Sequence, residues 1–200
     1  MNILIINGVK SLDPKLHETV YTVDYQDVQI IVLNSNDNLE QQTKYLEAQL
    51  KNSTAKWKIV TCHHSVFSPA RGRDFKFARE NWKPLLDKYH VDLVLNGHDH
   101  TYARGHVPVR TSDGDTTELG TVYVTSVSGP KQYGLDRKQI LAYKSQGYQS
   151  DKTAEQTQFF QVITIEENTL EYIGYTVLGD EYDRATITKD FTTGKKTLKD

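Results

Sequence analysis

Two histidines, His98 and His100, stand one residue apart after the short apolar run 91–95 and a glycine, Gly97. The run predicts a buried strand, because β-branched and leucine residues follow one another without helical spacing and the glycine ends the pattern. In extended backbone, residues two apart point to the same side, so both imidazoles are expected to converge on a metal ion. Asp99 then faces away, either as a carboxylate that orients an imidazole or as an ordinary loop residue. The alternative for the histidines is a pair of exposed loop side chains.

A second pair, His63 and His64, follows another predicted strand, residues 56–62, and strengthens the metal hypothesis. The loop after this pair contains Arg71 and Arg73. Guanidinium groups bind phosphate with two parallel hydrogen bonds, so both arginines, together with His64, are candidates for binding a substrate phosphate. The alternative for them is solvent-exposed loop charge.

The segment that contains these motifs alternates between strand and helix patterns. We predict a hairpin at 19–25 and 28–33, a helix at 39–51, a strand at 56–62, short helices at 77–82 and 85–89, and a strand at 91–95. This order favours parallel strands joined by crossover helices. Functional residues in such sheets lie at the carboxyl ends of the strands, and both histidine pairs are expected at that edge.

The pattern changes after residue 104 to alternating strands that predict an antiparallel sheet. These strands are expected at 120–128, 158–166, 169–178 and 182–189. Residues 129–157 have no clear periodicity and are predicted to form a long connection. Residues 2–7 have strand character, but nothing upstream explains how they would be buried, so they receive no assignment.

Composition limits the classes of partner. The chain of 200 residues has 24 lysines and arginines against 26 acidic residues, a formal net charge of -2. A nucleic acid or an anionic membrane demands a basic surface, so neither is expected as the main partner. The single cysteine, Cys62, excludes an internal disulfide and is expected to be a small buried side chain. No apolar run is long enough for a membrane span or a signal-peptide core.

Four motifs together resemble the second half of a calcineurin-like metallophosphoesterase, in particular the purple acid phosphatase-like branch. They are Cys-His-His-Ser-Val-Phe-Ser at 62–68, Gly-Arg-Asp at 72–74, Trp-Lys-Pro-Leu at 82–85 and Gly-His-Asp-His-Thr-Tyr-Ala-Arg at 97–104. The resemblance is good over 17–130 and looser over 158–189. It implies that residues 1–200 are one domain, the C-terminal portion of a phosphoesterase domain. It also implies an α/β fold, a partial αββα sandwich whose mixed sheet with crossover helices is followed by antiparallel strands.

The resemblance also implies a metal-dependent phosphohydrolase that acts on small phosphoesters with Fe, Zn or Mn. In that family five motifs hold two metal ions, and this chain carries the last two. By position His63 and His98 resemble ligands of one ion and His100 a ligand of the other. The motifs Asp-x-His, Gly-Asp-x-x-Asp or Tyr, and Gly-Asn-His do not precede them, so no catalytic residue is assigned and at most one ion is expected to be well held. The string at 179–183 fits the second motif, but it comes after the histidines and in a predicted turn, which favours a structural reading.

Two hypotheses follow. In the first, the chain is part of a metallophosphoesterase whose amino-terminal half is lost or encoded elsewhere, and it is weakly active or inactive alone. In the second, it is a non-catalytic remnant that serves as a structural or binding module. Either way, the absence of roughly half of the family's sheet predicts an exposed apolar face or sheet edge and hence self-association. Family members are often secreted or periplasmic.

Overall fold

Two β-sheets face each other, and helices lie on the other side of the larger sheet. The computed structural model describes residues 5–7, 12–110 and 117–200. The strands of the larger sheet are β1 (Ile5–Asn7), β2 (Tyr21–Tyr25), β3 (Val28–Leu33), β4 (Trp57–Cys62), β5 (Leu93–Asn96), β6 (Tyr102–Arg110), β7 (Thr117–Thr125) and β8 (Gln149–Ala154). The smaller sheet consists of β9 (Phe159–Glu166), β10 (Thr169–Thr176), β11 (Glu181–Lys189) and β12 (Lys196–Lys199).

The larger sheet is mixed, in the order β1-β2-β3-β4-β5-β7-β6-β8. Its centre is parallel, because β3, β4, β5 and β7 run in the same direction. The predicted hairpin of β2 and β3 and the predicted crossover pattern are confirmed. β1 pairs with β2, which gives a strand at 5–7 where the sequence received no assignment. Residues 2–4 lie outside the described residues.

The helices of the first half occur where the sequence predicts them. Helix α1 (Leu39–Asn52) buries Tyr45, Leu46 and Leu50 on one face. A π-helical turn, Ala78–Trp82, runs directly into helix α2 (Lys83–Lys88), so the two predicted short helices form one continuous segment. A proline is tolerated in the first turn of a helix, where its missing N–H costs no hydrogen bond. No helix of the described residues is long and apolar enough to cross a bilayer.

Residues 129–157, predicted to be a long connection without periodicity, contain regular structure. This segment contains helix α3 (Arg137–Ala142), a 3-10 turn (Tyr143–Gln146) and the edge strand β8. The sequence of β8, Gln-Ser-Asp-Lys-Thr-Ala, lacks apolar alternation because the strand lies at the sheet edge and pairs with β6 alone. The strand β6 itself was also not predicted.

Two apolar clusters hold the layers together. One lies between the larger sheet and the helices and includes Leu46, Val60 and Trp82. The other lies between the sheets and includes Trp57 and Tyr172. The predicted antiparallel strands within 158–189 are confirmed by the smaller sheet, in the order β12-β11-β10-β9. The strand predicted at 120–128 instead corresponds to β7 of the larger sheet, which pairs parallel with β5 and antiparallel with β6. The described residues therefore form the mixed α/β arrangement of a partial αββα sandwich.

Candidate metal and phosphate site

The candidate site lies where parallel strands of the larger sheet end. In the register of the sheet Leu33 of β3 is opposite Cys62 of β4, and Thr61 is opposite Leu95 of β5. The residues that follow each strand therefore emerge side by side at one edge. They include Ser35, His63, His64 and His98, which come from three separate loops.

Hydrogen bonds of ordinary length connect these loops to one another. The amide of Gly97 donates to the carbonyl of His63 at 2.9 Å, and the Ser65 hydroxyl donates to the carbonyl of Gly97 at 3.0 Å. The Asn96 side chain donates to the carbonyl of Cys62 at 3.0 Å. The Cys62 side chain is buried, as predicted, and burial raises the pKa of its thiol to about 12. The backbone around the histidines is thus held by neutral groups.

His63 and His98 are in direct contact. Nε2 of His63 and Nδ1 of His98 are 3.1 Å apart, and the ring centroids are 5.0 Å apart. Two neighbouring nitrogen ligands of one metal ion, each bound at about 2.0–2.1 Å, lie roughly 3 Å apart. The separation of these two nitrogens therefore fits a single ion.

The hydrogen bond from Arg73 indicates which ring nitrogen of His98 carries the proton. Its Nη1 donates to Nε2 of His98 at 2.8 Å. Because that nitrogen accepts, the proton of neutral His98 is on Nδ1, which donates to Nε2 of His63. Burial, together with the neighbouring His64 ring and the Arg73 guanidinium, lowers the pKa of His98 to about 4. His98 is therefore neutral at physiological pH, the form that binds metals.

His64 lies beside the same pair. Its ring centroid is 4.1 Å from that of His98, and its Nδ1 is 2.8 Å from the Ser35 hydroxyl oxygen. The His64 amide also donates to this oxygen, at 3.0 Å. Burial, followed by the charges of His63 and Arg73, lowers the pKa of His64. One side of the site thus presents a second neutral imidazole next to a guanidinium.

His100 points to different partners. Its Nδ1 donates to the carbonyl of Lys131 at 2.8 Å, and its ring lies 4.9 Å from that of Tyr133. The expectation of an extended backbone here is wrong, since His98 has φ 67° and His100 has φ 50°, both left-handed. A left-handed backbone lacks the alternation of a strand, so the spacing by two residues does not by itself place both imidazoles on one side. His100 still lies near enough for its charge to lower the pKa of His98.

Asp99 faces away from the histidines, as expected, but it orients no imidazole. Its side chain is fully buried. Burial raises the pKa of Asp99 to about 6, although the nearby Ala70 amide and the hydroxyls of Ser68 and Ser65 oppose the shift. Asp99 is therefore an interior carboxyl group.

The two arginines differ. Arg73 is half-buried, and its Nη2 donates to the Tyr133 hydroxyl at 3.1 Å. Arg71 is exposed, its amide donates to the carbonyl of Gly134, and its side chain lines a surface depression that includes Leu135. The structure thus brings Arg73, and not Arg71, against the histidines.

Two residues of the site were missed in the sequence. Ser35 follows β3, and the rule that loops at carboxyl strand ends carry function would have drawn attention to it. Tyr133, which contacts both Arg73 and His100, lies in a segment without periodicity, and no sequence signal distinguishes it.

The described residues of the site offer two candidate nitrogen ligands, too few to hold two metal ions. His63 and His98 supply two nitrogens, and the nearest charged group is the cation Arg73. Within residues 5–7, 12–110 and 117–200, no three histidine, cysteine, aspartate or glutamate side chains are grouped so that they could hold a metal ion. A carboxylate that could bridge two ions is thus missing from this part of the chain.

Known proteins resemble this chain over parts of their length. Purple acid phosphatase 7 of Arabidopsis thaliana is 26% identical over 175 residues, which cover 84% of this chain and 45% of that protein. Purple acid phosphatase 17 of the same plant is 41% identical over 69 residues, or 34% of this chain and 20% of that protein. An uncharacterised protein of Mycobacterium tuberculosis is 33% identical over 125 residues, or 52% of this chain and 23% of that protein. The chain thus spans less than half of the length of these relatives.

Solved structures support the same fold. A purple acid phosphatase from yellow lupin (Lupinus luteus) seeds superimposes with a TM-score of 0.66 at 20% identity, over 88% of this chain and 34% of that chain. The structure of PhoD superimposes with a TM-score of 0.57 at 13% identity, over 90% of this chain and 43% of that chain. The family model described as calcineurin-like phosphoesterase matches residues 2–102, more than half of the sequence. Both histidine pairs fall within that match, and the chain belongs to the calcineurin-like phosphoesterase family.

Proposed function

We propose that these 200 residues carry part of a phosphoester hydrolase site, in which His63 and His98 hold one metal ion and Arg73 and His64 receive the phosphate group. The family consists of metal-dependent hydrolases with dinuclear centres. The observation that carries the proposal is the contact of His63 with His98 at 3.1 Å, beside the guanidinium of Arg73.

Each residue has a separate task in this proposal. His98 is held neutral by burial and by Arg73. Its Nδ1 becomes available to a metal once the ring proton moves to Nε2 and the guanidinium of Arg73 turns from that nitrogen to the phosphate. Arg73 is the nearest cation and pairs with a phosphate oxygen through a charge-assisted hydrogen bond. When bound at such a site, a metal ion lowers the pKa of water from about 15.7 towards 7. His100 serves the second ion of the family, for which the described residues provide no further ligand.

Activity of the chain alone is expected to be very low. A positioned general acid contributes roughly a hundred- to ten-thousand-fold to rate, and none is assigned here. The second ion and its bridging carboxylate would supply a further part of the rate. We therefore propose that the chain binds one divalent ion weakly and hydrolyses p-nitrophenyl phosphate no faster than the same metal in buffer. The alternative, a non-catalytic binding module, is favoured by the hydrogen bond from Arg73 that already engages a nitrogen of His98.

The test combines binding and turnover. Zinc or manganese binding is measured by calorimetry on the unmodified chain, on His98→Ala and on His90→Gln, whose exposed imidazole lies in a different part of the fold. Binding that weakens at least about tenfold in His98→Ala but not in His90→Gln supports the metal assignment. If no variant binds metal, the binding-module alternative stands. Turnover well above metal-only buffer that disappears in His98→Ala would overturn the proposed inactivity.

A further inference from the structure

A second site of different chemistry lies at the opposite edge of the larger sheet. The strands β4 and β5 begin there. A cavity of about 650 Å³, open to solvent on one side, lies between the two sheets and the turn after α2. Its size is in the range of small-molecule sites. The lining residues with charged or ionisable side chains are Lys56, Lys58, His90, Glu118, Lys189 and Lys196.

Two of the lysines share one carboxylate. Lys189 Nζ lies 3.0 Å and 3.1 Å from the two oxygens of Asp92, and Lys196 Nζ lies 3.1 Å from one of them. Asp92 is fully buried and also accepts from the amide of Lys58 at 2.8 Å. Two ammonium groups on the smaller sheet are therefore balanced by a single negative charge on the larger one.

A third ammonium group adds to this excess. Lys58 Nζ donates to the carbonyl of Tyr89 at 2.5 Å, a neutral partner. Burial lowers the pKa of Lys58, and the ammonium groups of Lys189 and Lys196 lower it further. Burial also lowers the pKa of His90, again helped by these three lysines. The carboxylate of Asp92 acts in the opposite direction and raises the pKa of both Lys58 and His90.

The other charges at the cavity are already matched at its exposed rim. Lys56 pairs with Asp27 at 2.8 Å, and Glu118 pairs with Lys195 at 3.6 Å. Neither pair changes the charge balance inside the cavity. There, among the described residues, three ammonium groups are matched by the single carboxylate of Asp92.

We propose that this cavity binds a multiply charged oxyanion of the phosphate type through Lys58, Lys189 and Lys196. An ammonium group has three donors, and Lys58 uses one of them on Tyr89. Lys196 uses two, on Asp92 and the Val91 carbonyl, whereas Lys189 already reaches Asp92 and the Lys56 carbonyl and contributes mainly its charge. A di- or trivalent oxyanion supplies several acceptors and the two negative charges that the cavity lacks. The cavity is separate from His63 and His98, which lie at the carboxyl ends of the same strands.

The experiment uses the full chain without metal and in the presence of a chelator, with inorganic phosphate and pyrophosphate as probes and acetate as a monovalent control. Binding is measured by calorimetry. Histidine ring signals are followed by NMR, and the His90 signal is assigned with His90→Gln. The variant Lys58→Met keeps the apolar stem and removes one charge. Lys144→Met, on an exposed turn, is the matched control.

We expect saturable pyrophosphate binding that shifts the His90 signal, weakens at least about tenfold in Lys58→Met and is unchanged in Lys144→Met. Binding is also expected to weaken as salt is raised, and acetate is expected to leave the signal unchanged. A shift of the His98 signal without one of His90, or no saturation at millimolar pyrophosphate, would overturn the proposal. If Lys58→Met does not fold by circular dichroism, the His90 signal of the unmodified chain decides.

Discussion

Arg104 of the larger sheet and Asp183 of the smaller sheet form a buried ion pair with two parallel hydrogen bonds. Nε and Nη2 of the guanidinium donate to the two carboxylate oxygens at 2.8 Å and 3.0 Å. Both side chains are almost completely buried, at 2% and 3% exposed. The Tyr102 hydroxyl donates to the same carboxylate at 2.6 Å. The two sheets are thus joined by a specific polar contact within an apolar interface.

Removal of the Asp183 carboxylate is expected to be strongly destabilising. Asp183→Ala removes the most buried of the three carboxylates that pair with Arg104, and Asp151 and Asp200 remain at 3.1 Å and 2.8 Å. The lost charge-assisted hydrogen bonds are expected to cost about 1.5–3 kcal/mol in the free energy of unfolding. The neighbouring Arg184 points outward and pairs with Glu181 and Glu171 at a surface where its side chain is 40% exposed. Arg184→Ala is expected to cost less than about 1 kcal/mol. Urea denaturation of both variants measures the difference, and equal losses would contradict it.

Phosphate binding at the site of His63 and His98 is expected to depend on Arg73 and not on Arg71. Arg73 contacts His98, whereas Arg71 lies on the exposed loop surface. Arg73→Met is expected to weaken phosphate binding at this site by roughly tenfold or more, because a charge-assisted hydrogen bond is lost. Arg71→Met is expected to leave it unchanged. The measurement is a phosphate titration of the zinc-supplemented chain that follows the His64 ring signal, and a larger effect of Arg71 would refute the assignment.

Packing of β6 against β7 predicts a difference between two glycines. A methyl group added at Gly120 would overlap the carbonyl oxygen of Val107, which is backbone and cannot move aside alone. Gly120→Ala is therefore expected to destabilise by about 1–3 kcal/mol. A methyl group at Gly129 meets nothing, so Gly129→Ala is expected to be neutral. Thermal unfolding of both variants tests this, and an equal melting temperature for both would show that β7 adjusts.

Self-association is expected through the outer face of the smaller sheet. The edge strand β9 exposes Phe160 and Val162, and the turn between β10 and β11 exposes Val177 and Leu178, the last at 86%. Neighbouring apolar groups on an unpaired edge favour contact between copies. Sedimentation at increasing concentration is expected to show association that Phe160→Glu with Val162→Glu removes. A chain that stays monomeric at high concentration would count against this prediction.

The parallel centre of the fold was predictable because its residues repeat a local pattern. The run 28–33 and the run 57–62 are apolar enough to be recognised as buried strands, and the face of Leu46 and Leu50 defines a helix between them. The meeting of His63 with His98 follows from the two adjacent parallel strands, since His63 comes directly after β4 and His98 follows β5 after one glycine. Strand β8 escaped prediction because its stability comes from backbone pairing with β6, which leaves no trace in side-chain type.

The orientation of individual site residues was less predictable. His100 turns towards Lys131 because of a left-handed backbone, a conformation that a non-glycine residue rarely adopts and that no neighbouring residue type announces. Tyr133 approaches Arg73 across 60 residues of sequence. Such contacts depend on the complete fold and not on local spacing.

The lysines that bind Asp92 have a consequence for the order in which the chain folds. Lys189 follows its partner by 97 residues, and Lys196 donates to the carbonyl of Val91 across 105 residues. Contacts of such separation form slowly, because a long loop must close before they stabilise anything. During synthesis the larger sheet is complete well before β11 and β12 emerge, and Asp92 then lacks its cations. We therefore expect a nascent chain that ends before β11 to hold an open, protease-sensitive sheet, which becomes resistant in a single step once the final strands dock.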